Sequence, residues 1–107
     1  MAGKTDEPRT PCRTPAEGRD GVSNIPTWKY ELIAGHITDI LKHAGAEGMQ
    51  WSNLTPAVGE RLTADEAQRL GKLGWHVVTV KLEMEVRGEV ERLPGKGPQK
   101  LVLPQYV

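Results

Sequence analysis

Lys72, His76, Thr79 and Arg87 recur at intervals of three and four residues, the spacing that brings side chains to one edge of a helix. An ammonium and a guanidinium can neutralise phosphates, and an imidazole and a hydroxyl can touch base edges, so this edge has the chemistry of duplex DNA recognition. Arg92, Lys96 and Lys100 add a second group of cations around the turn Pro94-Gly95-Lys96-Gly97-Pro98. Glu83 falls in the middle of the helical edge. A carboxylate there repels phosphate, although it could accept from a cytosine amino group. Catalytic chemistry has much less to stand on. The two serines, Ser23 and Ser52, have no evident base, and His36, His43 and His76 match no metal spacing. His36 and His43 are seven residues apart, so they share a side of one helix but sit about two turns from each other. Lys96 between glycines lacks the GKS or GKT ending of a phosphate loop and precedes a strand instead of a helix. No enzyme, metal, cofactor or small-molecule ligand is expected.

The edge residues belong to a helix expected from about Leu73 to Arg87 and stopped by Gly88. It has two apolar faces: Leu73, Val77, Val80 and Met84 on one side, and Trp75, Val78, Leu82 and Val86 nearly opposite. A helix apolar on both sides is covered on both sides. The polar edge of Lys72, His76, Thr79, Glu83 and Arg87 should then be free to meet water or a ligand, with Lys81 and Glu85 on the other edge. Trp75 and Leu82 lead the second apolar face, which becomes an interface if the domain cannot cover it.

The preceding elements follow from composition and capping. Thr27, after Pro26, should cap a helix running to about Ala44, with Tyr30, Ile33, Ala34, Ile37, Ile40, Leu41 and Ala44 on one stripe. Met49-Gln50-Trp51 reads as a very short strand, and Ser52 should cap a helix in which Pro56 fits only the first turn. Thr63 to Glu66 is a capping box for a short helix ending near Gly71. After Gly88, a strand around Val90–Leu93, the PGKGP turn and a strand around Gln99–Leu103 make a hairpin. Trp28 and Trp51 are expected as core anchors.

The 107 residues carry 14 basic and 14 acidic side chains, so no overall positive field favours nucleic acid. Any DNA contact must be local. Residues 88–107 and 72–87 each hold three cations against two acids, whereas residues 46–71 hold two cations against four acids. Residues 1–24 are expected as an N-terminal tail, largely disordered or partly docked, with a single domain over 25–107. The prolines and glycines of the tail, and its few large aliphatics, cannot offset the cost of ordering a backbone. The lone Cys12 can form no internal disulfide, and the chain shows neither a signal-peptide core nor an apolar run long enough to span a membrane. A cytoplasmic protein without membrane contact is expected.

Three stretches carry a further signal: RTPAEGRDGVSNIPTWKYELIAGHITDIL, GMQWSNL, and LGKLGWHVVTVKLEMEVRGEVERLPGKGPQKLVL. Together they resemble a bacterial family of uncharacterised winged-helix proteins, a domain of unknown function. Ile25-Pro26 with Trp28-Lys29-Tyr30, Gly74-Trp75-His76, Thr79-Val80-Lys81-Leu82, Glu85 to Gly88 and the Gly-rich turn are its most specific parts. The resemblance implies the fold and a regulator-like shape, and offers no ligand or catalytic residue to carry over. It also implies that part of the segment from Thr14 to Ile25 docks on the domain. The expected fold is α+β, mostly α, a winged helix-turn-helix of helix, short strand, two helices, long helix and two-stranded wing. The expected function is a DNA-binding transcriptional regulator acting as a dimer, with a protein-protein interaction module that does not bind DNA as the alternative.

Overall fold

The computed structural model describes residues 7–13 and 22–107. Expectations for residues 1–6 and 14–21 lie outside the described residues. Among the described residues the fold is α+β and mostly helical, with four α-helices and two small antiparallel sheets. Its strands and helices follow the order β1 (Arg9–Arg13), β2 (Val22–Pro26), α1 (Thr27–Ala44), β3 (Met49–Gln50), α2 (Trp51–Arg61), α3 (Ala64–Leu70), α4 (Leu73–Val86), β4 (Glu91–Arg92) and β5 (Lys100–Val102).

The described part of the segment expected as a tail is paired and packed. β1 and β2 run antiparallel from Arg9 opposite Pro26 to Arg13 opposite Val22. The hairpin is anchored where the Thr27 N–H donates to the Pro8 carbonyl at 2.9 Å and the Thr10 and Thr27 hydroxyls meet at 2.9 Å. Cys12 and Ile25 bury their side chains in the core. Prolines survive here because a two-stranded sheet has only edges, so a missing N–H can face away from the ladder.

α1 buries Tyr30, Ile33, Ile37, Ile40 and Leu41, the stripe its 3.6-residue periodicity predicts. Pro26, in extended conformation, takes the N-cap position, and Thr27 is the first helical residue. The Thr27 hydroxyl is engaged by Thr10 across the hairpin, so it does not cap. Gly48, at φ 72°, turns the chain into β3, and α2 begins at Trp51 with Gln50 as N-cap, two residues earlier than a cap at Ser52 would set it. The Trp51 N–H donates to the Gln99 carbonyl at 2.8 Å, so a tertiary contact sets that start. Pro56 therefore sits in the second turn, not the first. The capping box forms as expected: the Glu66 N–H donates to the Thr63 hydroxyl at 3.0 Å, and the Thr63 N–H to the Glu66 carboxylate at 2.9 Å.

α4 crosses the molecule against α1, α2 and β1. Its inner face, Val77, Val80 and Met84, is fully buried with Ile33, Ile37 and Leu41 of α1 and Leu54 and Val58 of α2 in the core. Gly88, at φ 75°, stops it: the Glu89 N–H donates to the Met84 carbonyl at 2.8 Å and the Gly88 N–H to the Glu85 carbonyl at 3.1 Å, a Schellman ending. β5 lies between β3 and β4, with Leu101 opposite Met49 on one side and Arg92 on the other. The short strand between the first two helices is thereby joined to the C-terminal hairpin. No helix among the described residues is long and apolar enough to cross a membrane.

Candidate interaction surface around α4

The polar edge of α4 is closed where the sequence suggests an open one. His76 is 8 % exposed and Glu83 1 %. β1 lies along this flank, and the Glu83 carboxylate accepts from the Arg13 N–H at 2.8 Å, Arg13 Nε at 3.0 Å, Arg13 Nη2 at 2.7 Å and Arg87 Nε at 2.8 Å. A carboxylate with its oxygens shared between two guanidiniums and a backbone amide is fully satisfied, which explains how a charge tolerates that burial. Burial alone would raise the Glu83 pKa, but the bonds from Arg13 and Arg87 outweigh it and hold the group down at about 2. Glu83 thus anchors the N-terminal hairpin to α4.

His76 is likewise turned inward. Its Nδ1–H donates to the Lys72 carbonyl at 2.7 Å and the ring packs edge-on to Trp75. Burial lowers its pKa, the Lys72 bond opposes this, and Lys29 lowers it further, so the ring is neutral at physiological pH. Thr79 is half-buried. Arg87 is held by Glu83 and lies over the Tyr30 ring, 4.7 Å from guanidinium carbon to centroid. A base-reading role for His76 and Thr79 would therefore require this flank to open. At Glu83 the physical reason is the hairpin: β1, assigned to a tail, covers a part of the edge that a tail would leave bare.

The opposite flank is closed by a second ion-pair group. Lys81, 3 % exposed, pairs with Glu85 at 2.6 Å and lies 4.6 Å from the Trp51 ring centroid, and Arg92 Nε donates to Glu85 at 2.8 Å. Arg92 is therefore tied to α4 through a carboxylate. Lys72, Lys96 and Lys100 are exposed and join none of the ion pairs among the described residues. The last two belong to the loop and strand of the C-terminal hairpin, away from the α4 edge in sequence and element.

With both polar flanks sealed, the outward face of α4 is the apolar one. Trp75 is 49 % and Val78 38 % exposed, while Leu82 and Val86 continue the same line half-buried. The helix thus buries His76, Lys81 and Glu83 and presents tryptophan and valine. Val22 of β2 is also exposed. Trp51 is packed against the core as expected; Trp28 is half-buried between Lys29 and Arg69.

The residues with catalytic potential are dispersed. Ser23 and Ser52 are exposed, His43 Nδ1 meets the Asp39 carbonyl in its own helix, and no group of three metal-ligating side chains occurs among the described residues. Burial, and then the neighbouring Glu83, push the Cys12 thiol up to about 11, which keeps it protonated and a poor nucleophile at neutral pH. A groove of about 850 Å³ runs between α1 and the end of α4, and its walls carry Glu31, Asp39 and Glu89 as well as Lys42 and Arg87.

Arg13 and the Lys81–Trp51 contact were not legible in the sequence. Arg13 reads as one of four tail cations matched by four acids, and its partner lies 70 residues away.

A family model described as a family of unknown function, DUF6958, matches residues 9–101. The chain belongs to that family. The match begins at the first residue of β1 and ends within β5, so the DUF6958 unit takes in the N-terminal hairpin as well as the helices and the sheet. Arg13, Glu83 and Arg87 all fall inside it. Neither a curated protein nor a solved structure matches this DUF6958 chain.

Proposed function

We propose that this DUF6958 protein is a non-enzymatic protein-interaction module that docks its partner on the outward face of α4. The supporting observation is that Trp75 and Val78 remain exposed on a helix whose charged side chains are buried and paired. A small apolar patch that carries a tryptophan and is bounded by paired charges is the composition of an interface core with its polar rim. A photoreactive amino acid at Val78, irradiated in cells, is expected to give covalent protein adducts. The same group at Glu60, exposed on α2, is expected to give none. Equal yields at the two positions would sink this reading.

A second reading, a winged helix-turn-helix regulator that binds double-stranded DNA, keeps two supports. The strand order β3-β5-β4, with the first strand inserted between helices, is that expected of a winged domain, and Lys96 and Lys100 are exposed cations on the hairpin that would be the wing. Here the wing and Lys72 would contact phosphates, without base readout by the closed α4 edge. Lys96→Ala with Lys100→Ala is then expected to weaken binding of a random duplex and to reduce the slope of log K against log salt by about two. Unchanged salt dependence would remove the wing from the interface.

A further inference from the structure

Building on the interaction-module reading, we infer that the occupant of the α4 face is a second copy of this chain, with the two α4 helices paired antiparallel about a two-fold axis that passes between Val78 and Leu82. The stripe is made for self-association in that direction. It is bulky at one end, Trp75, and slim at the other, Val86, with Val78 and Leu82 between them at spacings of three and four residues. Antiparallel pairing sets Trp75 of each copy against Val86 of the other and brings Leu82 over the Val78–Thr79 turn. Parallel pairing would stack tryptophan on tryptophan and leave the slim ends apart. A closed two-fold contact is also the commonest way in which one patch buries itself.

Charge at the two ends selects the same direction. α4 has no acid in its first turn, and Lys72 stands at its N-terminal end, where the helix dipole disfavours a cation. Glu89 stands just past the C-terminal end, where an anion is disfavoured; the nearby Arg87 is already bonded to Glu83. Both side chains are exposed, and neither joins an ion pair among the described residues. An antiparallel partner brings Glu89 of the second copy to Lys72, and each dipole end then meets its opposite. In a parallel pair Lys72 faces Lys72. The formal net charge of zero leaves no long-range repulsion for two copies to overcome.

The sealed flanks make the face a rigid platform. Glu83 with its two arginines and Glu85 with Lys81 and Arg92 pair the charges along the flanks of the stripe, so that among the described residues only Lys72 and Glu89 at its ends await a partner. Contact can therefore bury apolar surface without the penalty that an isolated carboxylate would impose.

Sedimentation equilibrium of the full chain tests this. The wild type is expected to reach dimer below about 200 µM, Trp75→Glu to remain monomeric, and Lys72→Glu to weaken the dimer about tenfold. Lys72→Glu combined with Glu89→Lys should regain the wild-type dimer, because the exchange restores each cross-copy pair. Should Trp75→Glu fail to fold, Val78→Lys serves in its place, and a wild-type helical circular dichroism spectrum establishes that the variant is folded. A wild type that stays monomeric, a folded face variant that dimerises as well as the wild type, or a charge exchange that restores nothing overturns the antiparallel pair. A monomeric chain that still gives Val78-specific adducts with other proteins removes the second copy and leaves the module reading intact. Monomer without adducts removes both.

Discussion

Glu83→Ala should lower the unfolding free energy by about 3 kcal/mol at neutral pH, the cost of breaking a buried, hydrogen-bonded ion group by removing one partner. For a domain of this size that corresponds to a fall in Tm of about 15 °C. The variant loses the bonds from the Arg13 amide and guanidinium and from Arg87, so the N-terminal hairpin loses its hold on α4. The effect carries a pH signature. The folded-state pKa of Glu83 is depressed to about 2 from an ordinary 4.5, so its contribution is fully present above about pH 4.5 and is lost as the pH falls through 2. Denaturant titrations of wild type and variant should therefore differ most at pH 7, with most of the gap gone by about pH 3. A gap of the same size at both pH values would mean that Glu83 stabilises by packing and not as a carboxylate.

Gly48→Ala is expected to be as damaging for a different reason. Gly48 sits at φ 72° and ψ −174°, a region that is essentially glycine's alone and costs other residues about 1–3 kcal/mol. A Cβ there would also lie 2.6 Å from the Leu101 carbonyl oxygen and 2.7 Å from a Val102 methyl. The carbonyl belongs to β5, paired on both sides, so it cannot swing away without parting the β3–β5 ladder. Strain and displacement together should cost about 3–5 kcal/mol, read as a lowered denaturation midpoint. Gly45→Ala is the control: its φ is 62°, but a Cβ would meet nothing within 4 Å, so only the backbone strain should appear. Equal losses at the two positions would show that the close approach of Gly48 to β5 carries no energy.

Local chemistry explains why so much of the fold was readable. The α1 stripe, the Thr63–Glu66 capping box, Gly88 as helix stop and the hairpin around Lys96 each depend on side chains within a turn or two of one another, and each formed. The two apolar faces of α4 were also legible, because the 3.6-residue period assigns them whatever surrounds the helix. Where α2 begins was not: Trp51 bonds Gln99, a contact invisible over a short window.

The candidate surface divides along the same line. By itself the sequence determined that α4 carries two apolar faces with polar flanks, and that Trp75 and Leu82 belong to the face opposite Val77 and Val80, since helical geometry needs only residue order. Which flank meets water is decided by what packs beside it, and that was settled only by tertiary structure. β1 brings Arg13 across 70 residues to Glu83, and α2 and β4 bring Trp51 and Arg92 to the Lys81–Glu85 pair. A charged side chain stays exposed unless a partner satisfies it in the interior, and those partners are remote in the chain. Once they arrive, the polar flanks close and the tryptophan face is the one left outside.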